Sequence, residues 1–123
     1  MANFTELIGQ TVGIIIDAET AIVSYTPQVN GRLKSVSVLA GGIAATSLIE
    51  SGYVRLRCST FGGVDMVAYF EGVGLETVPR AQKVVSTTKC DLAIKSGVPI
   101  NILYYYNVLP TTPELFIFAE IEA

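Results

Sequence analysis

The chain has 123 residues, of which 50% are hydrophobic and 15% are charged. Soluble domains average about 25% charged residues, so this chain carries little charge for its size. Its net charge of −3 argues against the basic surface that nucleic-acid binding needs. The sequence has no histidine, which excludes every catalytic or zinc site built on that residue. The length predicts one domain.

The first ten residues are predicted to be a short N-terminal arm, residues 1–10, ahead of a domain at residues 11–123. Asn3 is placed to cap a helical turn, with Glu6 completing a capping box and Gly9 ending it. A single turn is not stable alone, so we expect this arm to dock on a partner. Its apolar residues, and therefore its candidate contacts, are Phe4, Leu7 and Ile8.

The rest of the chain is rich in Val, Ile and Thr, and Gly or Pro interrupts it at intervals of about ten residues, which is typical of short strands joined by turns. Strands are predicted at residues 11–16, 21–26, 33–39, 53–58, 64–71, 84–88, 89–94, 100–109 and 115–121. A turn at Gly62-Gly63 precedes the fifth of these, and one bent strand is the alternative for 84–88 and 89–94. The first two read as a hairpin closed at Asp17-Ala18-Glu19. Residues 45–49 read as a further strand, with a short helix as the alternative, and residues 75–79 as a short extended piece.

Eight or nine strands at this spacing predict an all-β fold, an antiparallel two-sheet sandwich with Greek-key, jelly-roll-like connections. A closed barrel is the alternative. The N-terminus lacks the basic and apolar regions of a secretory signal, so we expect synthesis in a cytoplasm. The chain also has no run of about 18 apolar residues that could span a membrane, and no membrane partner is expected.

Alternation within the strands predicts which side chains face the core. Tyr104 and Tyr106 share the apolar phase of their strand, whereas Tyr105 points outward between two asparagines and is a candidate for protein or sugar contact. Cys58 and Cys90 also fall in apolar phases, so we predict free, buried thiols, with a disulfide between them as the alternative.

The last strand carries a second candidate surface. With Leu115, Ile117, Ala119 and Ile121 facing the core, Phe116 and Phe118 share the outer face with glutamates. Two adjacent outward phenylalanines rimmed by acid predict a partner surface. The alternative is a strand that is buried on both faces.

No motif in the sequence predicts an enzyme, a cofactor or a bound metal. Ser86 and Lys89 fit the spacing of a serine–lysine pair, but that chemistry needs a helix, and the flanking residues predict a strand. Gly72-Val73-Gly74 is half of a dinucleotide-binding pattern and is interpreted as a turn. A hydrolase that uses Ser86 or an acid such as Glu71 stays a minor hypothesis.

The stretch 30–38, Asn-Gly-Arg-Leu-Lys-Ser-Val-Ser-Val, and the later stretch 48–56, Leu-Ile-Glu-Ser-Gly-Tyr-Val-Arg-Leu, resemble small β-sandwich structural proteins of virions. These are the jelly-roll decoration (cement) and minor capsid proteins of bacterial and archaeal viruses. The resemblance implies a mechanical role, in which a homotrimer sits on a capsid lattice and clamps neighbouring major capsid subunits. It carries no site residues onto this chain.

The leading hypothesis is therefore a non-enzymatic virion protein that is made in the host cytoplasm. Its expected partners are further copies of itself, as a homotrimer, and the major capsid protein. The alternative is a carbohydrate- or receptor-binding sandwich that uses Tyr105 and the acidic turns. The absence of tryptophan, the favoured platform for sugars, counts against that alternative.

Overall fold

The computed structural model describes residues 3–15, 17–41, 50–72, 84–107 and 114–123. In these ranges the chain forms eight β-strands and one 3-10 helix, Ser59–Phe61. The strands are β1 (Asn3–Val12), β2 (Thr20–Tyr25), β3 (Gly31–Gly41), β4 (Glu50–Arg57), β5 (Met66–Gly72), β6 (Val84–Ile94), β7 (Ile100–Tyr106) and β8 (Glu114–Glu122).

Each of the first four strands pairs with one of the last four, taken in reverse order. β1 pairs with β8, β2 with β7, β3 with β6 and β4 with β5, all antiparallel. Antiparallel β3–β8 and β4–β7 pairs then join these into two sheets, with the orders β1-β8-β3-β6 and β2-β7-β4-β5. This is the strand order of a jelly roll. The predicted antiparallel two-sheet sandwich is confirmed, and it is not a closed barrel.

The core lies between the inner faces of the two sheets, where the predicted alternation holds. In β8 the inward residues Leu115, Ile117, Ala119 and Ile121 are all fully buried. Tyr104 and Tyr106 of β7 are buried as predicted, and the Tyr104 hydroxyl accepts a hydrogen bond from the backbone N–H of Ile15 at 3.0 Å. A buried phenol is stable in such a core because its hydroxyl has a partner.

The N-terminal segment differs from the prediction. Asn3–Val12 is a strand, β1, and its residues pair with β8 from Asn3–Glu122 to Val12–Glu114. The predicted helical turn is therefore wrong, and the boundary drawn at residue 10 falls inside a continuous strand. A shift in register between Leu7 and Gly9 explains the error, since the extra residue of a bulge breaks the period-two pattern of a strand.

The predicted first hairpin is also wrong, because β1 and β2 belong to different sheets. The chain crosses from one sheet to the other through Gly13 and Asp17, both of which have positive φ angles (74° and 57°). The Asp17 N–H donates to the carbonyl of Tyr106 at 3.0 Å, which fixes the start of the second sheet. The turn-forming residues 17–19 therefore lie where the chain passes from one sheet to the other, and not at the tip of a hairpin.

Other predicted elements are confirmed with shifted bounds. The turn at Gly62-Gly63 has two positive φ angles, 73° and 85°, which glycine adopts without steric cost. Residues 84–94 form one strand whose register against β3 shifts between Leu33 and Ser35, as expected for a bent strand. The predicted pieces at 45–49 and 75–79, and Val73 and Gly74 of the glycine turn, lie outside the described residues.

Candidate interaction surfaces

The outer face of the β1-β8-β3-β6 sheet carries a cluster of large apolar side chains. Phe118 pairs with Leu7 of β1 and with Ser37 of β3, and Phe116 pairs with Leu39 of β3. Leu7 is 44% exposed, and the other three apolar side chains are half-buried. Leu7, Leu39, Phe116 and Phe118 are called the apolar face below. The outward placement predicted for the two phenylalanines is confirmed.

The apolar face grades into polar and charged residues along the strands. Glu120 follows Phe118 on the same face of β8 and accepts a hydrogen bond from the Ser35 hydroxyl at 3.4 Å. On the side of β6, the hydroxyls of Ser37 and Thr87 are 2.9 Å apart. The apolar patch is thus bounded by hydroxyls and carboxylates, which is the pattern of a contact surface with a polar rim.

The other two N-terminal candidates, Phe4 and Ile8, do not belong to an exposed arm. Ile8 is a core residue, 5% exposed, and Phe4 packs against the core from the inner face of β1. Pairing with β8 brings these side chains between the sheets, so they are not available to dock on a partner. Leu7 is the member of the predicted trio that faces outward.

The outer face of the β2-β7-β4-β5 sheet carries a row of three tyrosines. Register places Tyr105 of β7 beside Tyr53 of β4, and Tyr53 beside Tyr69 of β5. The rings of Tyr53 and Tyr105 stack with centroids 5.5 Å apart, and the ring of Tyr69 meets Tyr53 edge-on at 6.1 Å. These three residues are called the tyrosine row below. The prediction that Tyr105 points outward is confirmed.

Acidic side chains bind the hydroxyls of this row. The Tyr53 hydroxyl donates to Glu19 Oε2 at 2.7 Å, and the Tyr105 hydroxyl donates to Asp17 Oδ1 at 3.3 Å. The hydrogen bond to the Glu19 carboxylate raises the pKa of Tyr53, because it favours the protonated phenol. Both carboxylates belong to the segment that the sequence marked as a turn.

Arginines complete the charge pattern on this face. Arg55 Nε lies 3.2 Å from Glu19 Oε2, but its N–H makes no hydrogen bond, so the contact is an ion pair without hydrogen-bond geometry. Arg57 contacts both carboxylate oxygens of Asp65, at 3.0 to 3.3 Å. Hydrogen bonding from Arg57 lowers the pKa of Asp65.

The tyrosine row could be found only in part from the sequence. Alternation placed Tyr105 on an outer face, but nothing local shows that its strand lies beside β4 or that Tyr53 and Tyr69 lie in the same row. The register of β4 against β5 and β7 supplies that information. Leu39 of the apolar face was missed for the same reason.

A shallow groove of about 260 Å³ separates the edge strands β1 and β2. Both strands shift register there, at Leu7/Gly9 and at Ile22/Tyr25. The Tyr25 hydroxyl crosses between the sheets and donates to the Glu6 carboxylate. Burial and then this hydrogen bond raise the pKa of Tyr25, so the contact ties the two edges together.

The candidates for chemistry lie apart from both surfaces. Cys58 is buried and Cys90 half-buried, and both are free thiols as predicted; burial raises the pKa of Cys90. Ser86 and Lys89 lie on the strand β6, where residues three apart point to opposite faces.

Within the described ranges, no three acidic or cysteine side chains group as a metal site, and no helix is long and apolar enough to cross a membrane.

Comparisons with known proteins place this jelly roll in no family. No protein-family model matches the chain, and no curated protein matches it.

Proposed function

We propose that the chain is a non-enzymatic structural protein of a virion, a decoration protein that binds the major capsid lattice as a homotrimer. The apolar face carries this proposal. It places two phenylalanines and two leucines together on an outer sheet face, in a chain with few charged residues. The jelly roll is shared by viral capsid domains and by lectins, so the fold is compatible with this role but does not select it.

The apolar face favours assembly because its burial removes hydrophobic area from water, at roughly 25 cal/mol per Å². Phe116 and Phe118 lie on β8, a central strand flanked by β1 and β3, so their positions are held rigidly. Rigid aromatic side chains at the centre of a patch lose little conformational entropy on binding and are typical anchors of interfaces. Leu7, on the edge strand, extends the patch to the rim of the sheet.

Light scattering coupled to size exclusion tests the self-association. We expect a mass three times the chain's 13.1 kDa for the wild type, and one times that mass for Phe118→Asp, because a carboxylate at the centre of the contact is costly to bury. Val23→Asp is the matched control, since Val23 is an apolar residue, 86% exposed, on β2 of the other sheet. It should remain a trimer.

A second variant covers the case in which Phe118→Asp fails to fold. Leu7→Lys changes an exposed residue and should weaken the trimer while the circular dichroism spectrum stays unchanged. A wild type that is monomeric at every concentration would overturn the proposal, as would a trimer that persists in both variants.

The capsid role is tested on the particles themselves. Virions purified from the virus that encodes the chain should contain it in a fixed ratio to the major capsid protein. Particles assembled with the Phe118→Asp chain should bind less of it and should lose their contents at a lower temperature. Purified virions that lack the chain would exclude the decoration role even if the trimer forms.

A further inference from the structure

We propose that the tyrosine row, together with Asp17, binds an arginine- or lysine-bearing segment of a protein partner. The site lies on the outer face of the β2-β7-β4-β5 sheet, on the other side of the sandwich from the apolar face. The inference therefore goes beyond the proposed function and does not depend on it. A cationic side chain from the partner is expected to lie against Tyr105 and to pair with the Asp17 carboxylate.

The protein already makes one contact of this kind within itself. The guanidinium carbon of Arg55 lies 5.6 Å from the centroid of the Tyr53 ring, within the range of a cation–π contact. Arg55 also pairs with Glu19, which accepts the Tyr53 hydroxyl. A cation, an aromatic ring and a carboxylate are thus held together in one unit.

Tyr105 and Asp17 repeat two of these three groups. The Tyr105 hydroxyl donates to Asp17 Oδ1, as the Tyr53 hydroxyl does to Glu19. Among the described residues, no cation completes this second unit. The cation that lies over a ring is Arg55, over Tyr53, and none of the ion pairs of the described residues involves Asp17. The missing group is the one that a basic partner would supply.

The position of Asp17 is fixed before any partner arrives. Its φ angle is 57°, in the left-handed region that aspartate tolerates better than most residues. Its backbone N–H donates to the Tyr106 carbonyl at 3.0 Å, one residue along β7 from Tyr105. The Tyr105 hydroxyl also holds the side chain through Asp17 Oδ1, so the carboxylate loses less entropy when a cation binds than a freely rotating one would.

The charge balance of this face also favours a basic partner. Among the charged side chains that the structure describes on this face, the three carboxylates of Asp17, Glu19 and Asp65 outnumber the two guanidiniums of Arg55 and Arg57. Arg55 lies within ion-pair distance of both Glu19 and Asp65, and Arg57 pairs with Asp65. The charge left over is therefore the negative charge of Asp17, at the Tyr105 end of the row.

The arrangement of the rings favours a protein segment over a sugar. Tyr53 and Tyr105 stack on each other, with 12° between their planes, so they do not lie side by side as a flat platform for a pyranose. Tyrosine and arginine are also the side chains that are enriched in protein interfaces. Tyr69 is 71% exposed and extends the contact to the far edge of the sheet.

The test uses the full chain and a defined probe, the blocked peptide Gly-Arg-Gly-Arg-Gly, with a citrulline-substituted peptide as the neutral control. We expect saturable shifts of the Tyr105 ring resonances with the arginine peptide, and weaker binding as salt is added. Asp17→Asn should reduce the affinity by up to about fivefold, the size of one exposed ion pair. Tyr105→Leu should have an effect at least as large.

Asp91→Asn is the matched control, because it removes an exposed carboxylate from the other sheet and should leave the affinity unchanged. Equal binding of the arginine and citrulline peptides would overturn the proposal, as would an Asp17→Asn variant that binds like the wild type. Shifts of the same rings by maltoheptaose or chitohexaose, without shifts by the arginine peptide, would assign the surface to sugars and would also overturn it.

The titration is repeated in the Phe118→Asp variant. Peptide binding that persists in a monomer would support the tyrosine row as a site of its own, whatever becomes of the trimer. Loss of binding in a folded Phe118→Asp monomer would show that the site needs neighbouring copies, which contradicts the proposal as stated.

Discussion

The two sheets of the sandwich have the same number of strands and share one core, but their outer faces differ in chemistry. The face of β1-β8-β3-β6 gathers phenylalanine and leucine on and beside a central strand. The face of β2-β7-β4-β5 gathers tyrosine and arginine, with carboxylates bonded to their polar ends. The first face also holds ion pairs, from Arg32 and Lys34 near the start of β3 to Asp91, beside its apolar side chains. On the second face, hydrogen bonds to carboxylates are made by the aromatic residues themselves.

The difference shows how register turns single residues into surfaces. Phe118 alone is one outward aromatic residue, but its neighbours Leu7 and Ser37 come from strands far apart in the sequence. Tyr53 likewise gains Tyr105 and Tyr69 from two other strands. The apolar face should therefore respond to loss of hydrophobic area, and the tyrosine row to loss of alignment or charge.

The largest effect is expected where alignment depends on a close approach of the backbones. A Cβ at Gly52 would lie 2.0 Å from the carbonyl oxygen of Tyr105. This oxygen belongs to the backbone of β7, so it cannot move away without breaking the pairing of β4 with β7. We expect Gly52→Ala to lower the free energy of unfolding by roughly 3 kcal/mol or more and to separate the rings of Tyr53 and Tyr105. Urea unfolding and tyrosine near-ultraviolet circular dichroism measure both effects.

Gly9→Ala is the control in the other sheet. Its Cβ would lie 3.2 Å from Ile117 Cδ1 and 3.4 Å from Ile102 Cδ1, the ends of side chains that can shift, so a loss of about 1 kcal/mol or less is expected. Equal losses in the two variants would contradict the close approach at Gly52.

A smaller effect separates the inner and outer faces of β7. Tyr104→Phe removes the buried hydroxyl that accepts the N–H of Ile15, and we expect a loss of about 1 kcal/mol because that N–H is left without its partner. Tyr105→Phe removes an exposed hydroxyl and should change the free energy of unfolding by less than about 0.5 kcal/mol. Urea unfolding of the two variants measures both free energies. A larger loss of stability in Tyr105→Phe than in Tyr104→Phe would contradict the placement of Tyr104 inside and Tyr105 outside.

Much of the fold could be predicted because it depends on alternation within single strands. The inward phases of β4, β7 and β8 follow from residues such as Val54, Tyr104 and Ile117, and turns such as Gly62-Gly63 follow from local chemistry. These features need no knowledge of neighbouring strands. The sandwich class and most strand positions were therefore accessible from the sequence.

The remaining features depend on contacts between distant parts of the chain. Asn3, Glu6 and Gly9 fit a capped helical turn locally, but pairing of nine residues with β8 outweighs one turn of helix. The bulge near Ile8 hides the alternation that would have revealed the strand. The tyrosine row needs the order of β7, β4 and β5, which no local pattern contains.

The smallest expected effect compares the exposed ion pairs of the two sheets in acid. Arg57 lowers the pKa of Asp65 on one sheet, and Arg32 lowers the pKa of Asp91 on the other. A carboxyl whose pKa is lower in the folded state binds protons more weakly there than in the unfolded chain. Its contribution to stability is therefore present above the unfolded pKa of about 4 and is lost as the pH falls through the lower folded value.

Asp65→Asn should remove part of the loss of stability between neutral pH and pH values below about 4. Asp91→Asn should remove less, because the Asp91 side chain is 57% exposed and that of Asp65 is 25% exposed, and solvent screens exposed pairs. Urea midpoints measured across this range at low salt give the comparison, and added salt should reduce both differences. If Asp65→Asn keeps the full acid dependence of the wild type, the network beside the tyrosine row contributes no more than the Asp91 cluster with Arg32 and Lys34 on the opposite sheet. The contrast between the two faces would then lie in their shape and hydrophobicity instead of their charge.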